Sequence, residues 1–397
     1  MQRRHFLKWA AGAGVTAWTA SSSAWAQGIA GVAGGAGGFG NLLVLVELKG
    51  ANDGLNTVVP FADPLYASLR PRIAIKREEV VQLHERAGLH PALAPLLPYW
   101  QAQQLAVVEG VGYPNANLSH FRSIEIWETG SNANEFLHQG WLGRAFAANP
   151  VPKGYLADGV VVGSSAMGPL VGAPRSVALA NPEQFQRQAR LIENEKGGMA
   201  RNPALNHILK VETNIIDAAA NLNSRREFRT VFPQGAFGNQ VRTAAQIAAN
   251  PAGVAVLHLS LGGFDTHQNQ PGTHANLLKQ LAEGLMALKG ALDELGRWNN
   301  TLVMTYSEFG RRPKENQSNG TDHGTAAPQL VLGGRVRGGL YGQPPALGRL
   351  DGNGNLPFAV DFRSMYAGVL ERWWGMPAQA SQSVLGGRFA PMEFVRT

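Results

Sequence analysis

The sequence predicts an α/β fold: a mostly parallel sheet with helices on both faces. Three observations carry this. Apolar runs with little polar alternation recur at Leu42–Leu48, Leu105–Gly112, Val254–Gly263, Thr301–Tyr306 and Pro328–Gly334. Such runs belong to strands covered on both faces. Helical patterns lie between them, and alternation of strand and helix argues for a parallel sheet. Finally, 397 residues at 44% hydrophobic content suffice for one large buried core.

The chain opens with Gln2-Arg3-Arg4-His5-Phe6-Leu7-Lys8, then a small-residue apolar stretch, Trp9 to Ala20, and a small-x-small triplet, Ala24-Trp25-Ala26. Residues 1–26 contain no acidic side chain and resemble a twin-arginine signal peptide, read by the twin-arginine export machinery. The expected location is therefore periplasmic or secreted. The stretch is too short and too rich in Ala, Gly and Ser for a stable span, and no later run is long enough for one, so no membrane span is expected after cleavage. The absence of cysteine suits a cargo folded in a reducing compartment before export. Arg3, Arg4 and Lys8 account for three of the +7 formal charges, leaving +4. No basic run with interleaved aromatics follows, which argues against nucleic acid as a partner.

Residues 27–40 are Gly-rich, have few side chains to pack, and read as a linker. Residues 41–397 read as one α/β domain. Within it, Leu93–Trp100 is a weak helix interrupted by Pro95 and Pro98. A short helix is expected from about Phe121 to Glu128. Residues 183–250 break the strand–helix rhythm and read as a helical insertion, with helices at Pro203–Ser224 and Gly238–Asn250. His274–Trp298 is the clearest helix, with Leu277, Leu278, Leu281, Leu285, Leu288 and Leu292 at three- and four-residue spacing. Phe362–Trp374 is the last.

In open α/β sheets, ligands bind beyond the carboxyl ends of the strands. Asp53 follows the first strand. Asn117, Ser119 and His120 follow the Leu105 run. Asp265 and His267 follow the Val254 run, and Glu308, Asp322 and His323 follow the Thr301 run. On a parallel sheet these loops meet at one rim. Carboxylates gathered there repel one another unless a cation intervenes. Carboxylate-plus-imidazole sets suit zinc, manganese or similar ions, and oxygen-only sets suit calcium or magnesium. A structural network using Arg122, Arg311 or Arg312 is the alternative. Ser119 stands at a helix start, where it is either an N-cap or a nucleophile activated by a metal and the helix dipole.

Four stretches in order, GANDGLNTVVP at 50–60, NLSHFRSIEIWETG at 117–130, GGFDTHQNQ at 262–270 and residues 301–334, resemble the exported bacterial proteins grouped as domain of unknown function 1501. That resemblance covers the chain from Asn41 onward and points to a distant branch of the alkaline phosphatase and sulfatase superfamily. It implies an alkaline-phosphatase-like fold, metal ligands Asp53, Asp265, His267, Glu308 and His323, and Ser119 as nucleophile. Arg122 or Arg311 would clamp the anion. The cofactor implied is a divalent metal ion: zinc, manganese or calcium. Phe309 stands where the pattern has a ligand, and phenylalanine binds no metal, so one ion at Asp265, His267 and His323 is better supported than two. Without cysteine, a formylglycine made from cysteine is excluded. The function implied is a metal-dependent hydrolase or transferase of a small phosphate or sulfate ester. The rival is a non-catalytic periplasmic protein that binds or matures an exported partner.

Overall fold

The computed structural model describes residues 38–181 and 226–396. The expected export signal, the Gly-rich stretch up to residue 37 and the helix expected at Pro203–Ser224 lie outside the described residues. One large sheet organises the described chain. Across it lie, in order, strands Gly339–Gly342, Leu105–Gly112, Ala327–Leu332, Thr301–Tyr306, Leu42–Lys49, Val254–Gly262, Ala157–Val162 and Ser176–Leu179. Val360–Asp361 also pairs with Leu105–Gly112. Every strand runs the same way except Ala327–Leu332, which is antiparallel to both neighbours.

The exception has a local cause. After Tyr306 the chain enters a hairpin, Arg311–Glu315 paired with Thr321–His323, and comes straight back beside the strand it left. A short return permits only antiparallel pairing, whereas a parallel neighbour needs a long crossover. The polar stretch after Tyr306 is thus a hairpin rather than a plain loop. Sequence reading also missed Ala157–Val162, Ser176–Leu179 and Gly339–Gly342, which are short or carry glycine.

Side-chain alternation divides the core into two layers. Leu42, Val44, Val46 and Leu48 face one side, against Phe237, Val241, Leu278, Leu281, Leu285 and Leu288. Leu43 and Leu45 face the other, against Trp127, Trp141, Tyr366, Leu370 and Trp373. The first helical layer contains Gln270–Glu294 and Ala236–Ala248. The latter buries Phe237, Val241, Ala244, Ala245 and Ile247, so this part of the expected insertion is a core element. The second layer contains His120–Thr129, Trp141–Ala148 and Phe362–Ala367, which continues as a wider turn over Gly368–Trp373. Among the described residues, no helix is long and apolar enough to cross a membrane.

Thr301–Tyr306, Leu42–Lys49 and Val254–Gly262 are adjacent and parallel, so residues 50–53, 263–267 and 307–311 leave the sheet at one rim. The backbones pack closely there. Gly50 has φ +111°, and a Cβ on it would sit 2.5 Å from the Asp265 amide nitrogen. Only glycine serves at that point.

Candidate metal centre

Three imidazoles and one carboxylate converge on this rim. His323 Nε2 lies 3.1 Å from His120 Nε2 and 3.0 Å from His267 Nε2. Asp265 Oδ1 is 3.3 Å from His323 Nε2 and 3.0 Å from His267 Nε2, and its Oδ2 is 3.4 Å from His120 Nε2. His120, Asp265 and His323 form a mutually close set, with every ligand atom within 4.8 Å of the others. His267 flanks them on the Arg311 side, 3.5 Å from Arg311 Nη1.

The opposite ring nitrogens settle which atoms carry lone pairs. His323 Nδ1 is 2.9 Å from the Leu118 carbonyl oxygen, an acceptor, so that nitrogen carries the hydrogen. His120 Nδ1 is 2.7 Å from Glu308 Oε1 and carries its hydrogen for the same reason. With Nδ1 of each ring turned to an acceptor, the two Nε2 atoms face each other at 3.1 Å. Two nitrogen lone pairs at that separation repel unless a proton or a metal cation lies between them. Metal-binding histidines are commonly fixed in this way, the second nitrogen donating to a carboxylate or carbonyl. Four donors about 2.0–2.2 Å from a tetrahedral ion stand roughly 3.3–3.5 Å apart, near the separations seen here. Burial, reinforced by the charge of Arg311, holds His323 below the usual histidine range and therefore neutral at neutral pH.

Glu308 is buried and acts behind the histidines. Its Oε1 accepts both His120 Nδ1–H and the Gly50 amide, at 2.9 Å. Phe309 is buried beneath the rings, 4.9 Å from His120 and 4.8 Å from His323 between centroids. Where the resemblance has a ligand, this chain has a hydrophobic floor.

Asp53 lies with other partners. It is fully buried, its Oδ2 is 2.5 Å from Arg70 Nη1, and its Oδ1 accepts from Arg70 Nη2 at 2.9 Å. Gln270 Nε2 donates to Oδ2. Burial pushes this carboxyl up, but Arg70 outweighs burial and holds it below the usual range. A guanidinium, rather than an ion shared with the histidines, balances the charge of Asp53.

Arg311 has a fixed task too. Its Nε donates to Ala51 O at 2.7 Å, and Nη1 to Thr321 O at 3.1 Å. Nη2 serves Gly50 O, Phe264 O and Asp265 Oδ1. It is buried and spends its donors on the protein, which leaves little for clamping a substrate anion. Desolvation raises the Asp265 carboxyl, but the Arg311 hydrogen bond and charge outweigh it and keep Asp265 below the usual range. Arg122 is similarly occupied. It donates to the Asn132, Ala133 and Glu135 carbonyls, pairs with Glu125 at 2.9 Å and covers the Phe136 ring. Its work is to hold that loop.

Ser119 occupies the N-cap position of His120–Thr129, yet its side chain makes no cap hydrogen bond. Asn117 Oδ1 instead accepts the Ser119 amide at 2.8 Å. The hydroxyl is exposed, one residue before His120. Sequence reasoning missed His120 as a donor and Arg70 as the partner of Asp53. A histidine directly at the helix start after a strand end was the available signal for the first. Nothing local marks Arg70, which reaches Asp53 across 17 residues of chain.

The family model described as "Protein of unknown function (DUF1501)" matches residues 41–385. The chain belongs to this family. No curated protein matches this DUF1501 chain in sequence. Solved structures to which it is similar include Ps i-CgsB, with 14% identity over 88% of this chain and 75% of that one, at a TM-score of 0.42. The phosphonate monoester hydrolase of Silicibacter pomeroyi shares 12% identity over 89% and 78%, at 0.40. The lipoteichoic acid synthase LtaP of Listeria monocytogenes shares 8% identity over 89% and 75%, at 0.33.

Proposed function

We propose that this protein is an exported metal-dependent hydrolase or transferase acting on a phosphate or sulfate ester. The reading is carried by the convergence of His120, Asp265 and His323, with Nδ1 of both histidines held by acceptors. Nitrogen donors with one carboxylate suit zinc or manganese and fit calcium poorly, since calcium takes oxygen ligands. His267 stands as a fourth donor. Glu308 and the Leu118 carbonyl fix the ring tautomers, and Arg311 leaves Asp265 anionic. A bound divalent ion would supply Lewis-acid stabilisation of charge on an ester oxygen. Ser119 offers a hydroxyl free of cap duty at the start of a helix, next to ligand His120. Asp53 and Glu308 take supporting roles in this reading, the first in a closed ion pair and the second behind His120.

Metal analysis of the purified full chain tests the centre: about one ion per chain is expected, lost in His323→Ala and His120→Ala. A screen of aryl phosphate and sulfate esters follows, comparing the wild type with Ser119→Ala. Equal turnover in both removes Ser119 from the mechanism.

Phe309 and the committed guanidinium groups favour a second reading, a metal-containing binding protein for an exported partner. No free cation beside the centre is on offer from Arg122 or Arg311 to hold an ester dianion. Bound metal without turnover on any ester in the screen would favour this reading over the first.

A further inference from the structure

A separate cavity of about 360 Å³ lies beside the antiparallel strand Ala327–Leu332. Its walls are chiefly apolar, with Leu55, Val58, Pro344, Pro345 and Phe358 among them. One carboxyl group lines it, that of Glu109. Glu109 is 6% exposed, and no hydrogen bond or ion pair to its side chain occurs among the described residues. Burial alone pushes its pKa up, to about 7, with no nearby charge opposing the shift.

The strand changes register beside Glu109. Ala327 pairs with Val111 and Gln329 with Val108, so one residue of one strand, Pro328, stands opposite two of the other. The additional residue falls at Glu109–Gly110, and Gly110 takes φ +68°. This is a β-bulge; Glu109 keeps the alternation of Leu105 and Val107, toward the side of Val58, and the shift falls on Val111. A carboxyl group buried in a chiefly apolar hollow is costly as an anion unless a cation meets it. Two arginines line the same cavity. Arg311 has its donors committed to four carbonyls and Asp265. Arg349 is exposed, forms no ion pair among the described residues, and does not act on Glu109. The counter-charge is therefore left for a ligand to bring.

We propose that this cavity is a second binding site, for an alkylammonium group, with Glu109 as its anionic anchor and the apolar walls as the seat of the alkyl chain. The site shares Arg311 with the metal centre as part of its wall, and does not rest on the ester chemistry assigned there.

Calorimetric titration of the full-length metal-loaded protein with n-hexylammonium tests the assignment, with n-hexanol and n-hexanoate as controls. Hexylammonium binds, hexanoate does not, and hexanol binds at least about tenfold more weakly, the scale of a charged hydrogen bond. Glu109→Gln keeps the side-chain volume and removes the charge, and should weaken hexylammonium by about tenfold or more while leaving metal content unchanged. Ala359→Met fills the hollow from beside Gly110 and should abolish binding with Glu109 intact. Nα-acetyl-lysine amide, run in parallel, distinguishes a free amine from a lysine side chain as the source of the ammonium group. No hexylammonium binding, equal binding of hexanol, or full binding by Glu109→Gln would each overturn the proposal. Circular dichroism and thermal melts confirm that each variant is folded before its result is counted.

Discussion

Replacing Arg70 by Met removes the positive half of an ion pair in which both side chains are fully buried. Asp53 would keep Gln270 as a donor but lose two guanidinium hydrogen bonds, at 2.5 and 2.9 Å. The same substitution frees the carbonyls of Pro313 and Arg312 and the side chain of Asn56, all of which Arg70 serves. Removing one partner of a buried pair costs about 3–5 kcal/mol, because the other charge stays behind without compensation. Against a total stability of roughly 5–15 kcal/mol, that loss is visible in urea unfolding at 15 °C. Asp53→Asn alone should cost somewhat less, and the double variant should recover part of the sum, giving a coupling energy of about 1–3 kcal/mol. Asp53 titrates below its ordinary value in the folded state. Its contribution is therefore present above about pH 4, the unfolded value, and is lost as pH falls through the folded value. All three variants should retain the metal of the wild type. Additive losses without coupling, or loss of metal from Asp53→Asn in protein that is still folded, would refute the view that Arg70, not a metal ion, balances this carboxylate.

Glu308→Gln should weaken metal binding by about 10–100-fold in a chelator competition, because His120 loses its anionic orienting partner while the ring stays in place. Gly50→Ala should destabilise the fold by at least about 1–3 kcal/mol in thermal melts, given φ +111° and a Cβ 2.5 Å from the Asp265 amide nitrogen. Glu47 is buried at the sheet end, and desolvation raises its pKa to about 7. The folded state then binds the proton more tightly than the unfolded state between about pH 4.5 and 7, so stability falls as pH rises through that window. Glu47→Gln should flatten this slope and raise the melting temperature at pH 8 relative to the wild type.

Much of the architecture was legible because its signals are local. The near-continuous apolar run at Leu42–Leu48, with Glu47 its one charge, announces a strand buried on both faces, and the leucine spacing after His274 announces the long helix beside it. Ala157–Val162 was not legible, since Asp158 and Gly159 interrupt its apolar pattern and its burial comes from neighbours distant in sequence. At the rim, Asp265, His267 and His323 were readable as residues placed after strands. The division of labour among the carboxylates was not. Asp53 and Asp265 look alike in sequence, and they differ only because Arg70 closes over one while Arg311 leaves an oxygen of the other near the histidines. Such choices rest on side chains that arrive from 17 and 46 residues away in the chain.

Arg311 ties together carbonyls from residues 50, 51, 264 and 321, which belong to three different segments of the chain. Breaking any one of those bonds leaves a buried acceptor unsatisfied, so the segments gain little by parting singly. Amide protons around the rim should therefore exchange with solvent through one concerted opening, with similar protection along all three segments. The donors for an ion are then set in place before any ion arrives, and metal uptake should proceed without a slow rearrangement of the polypeptide.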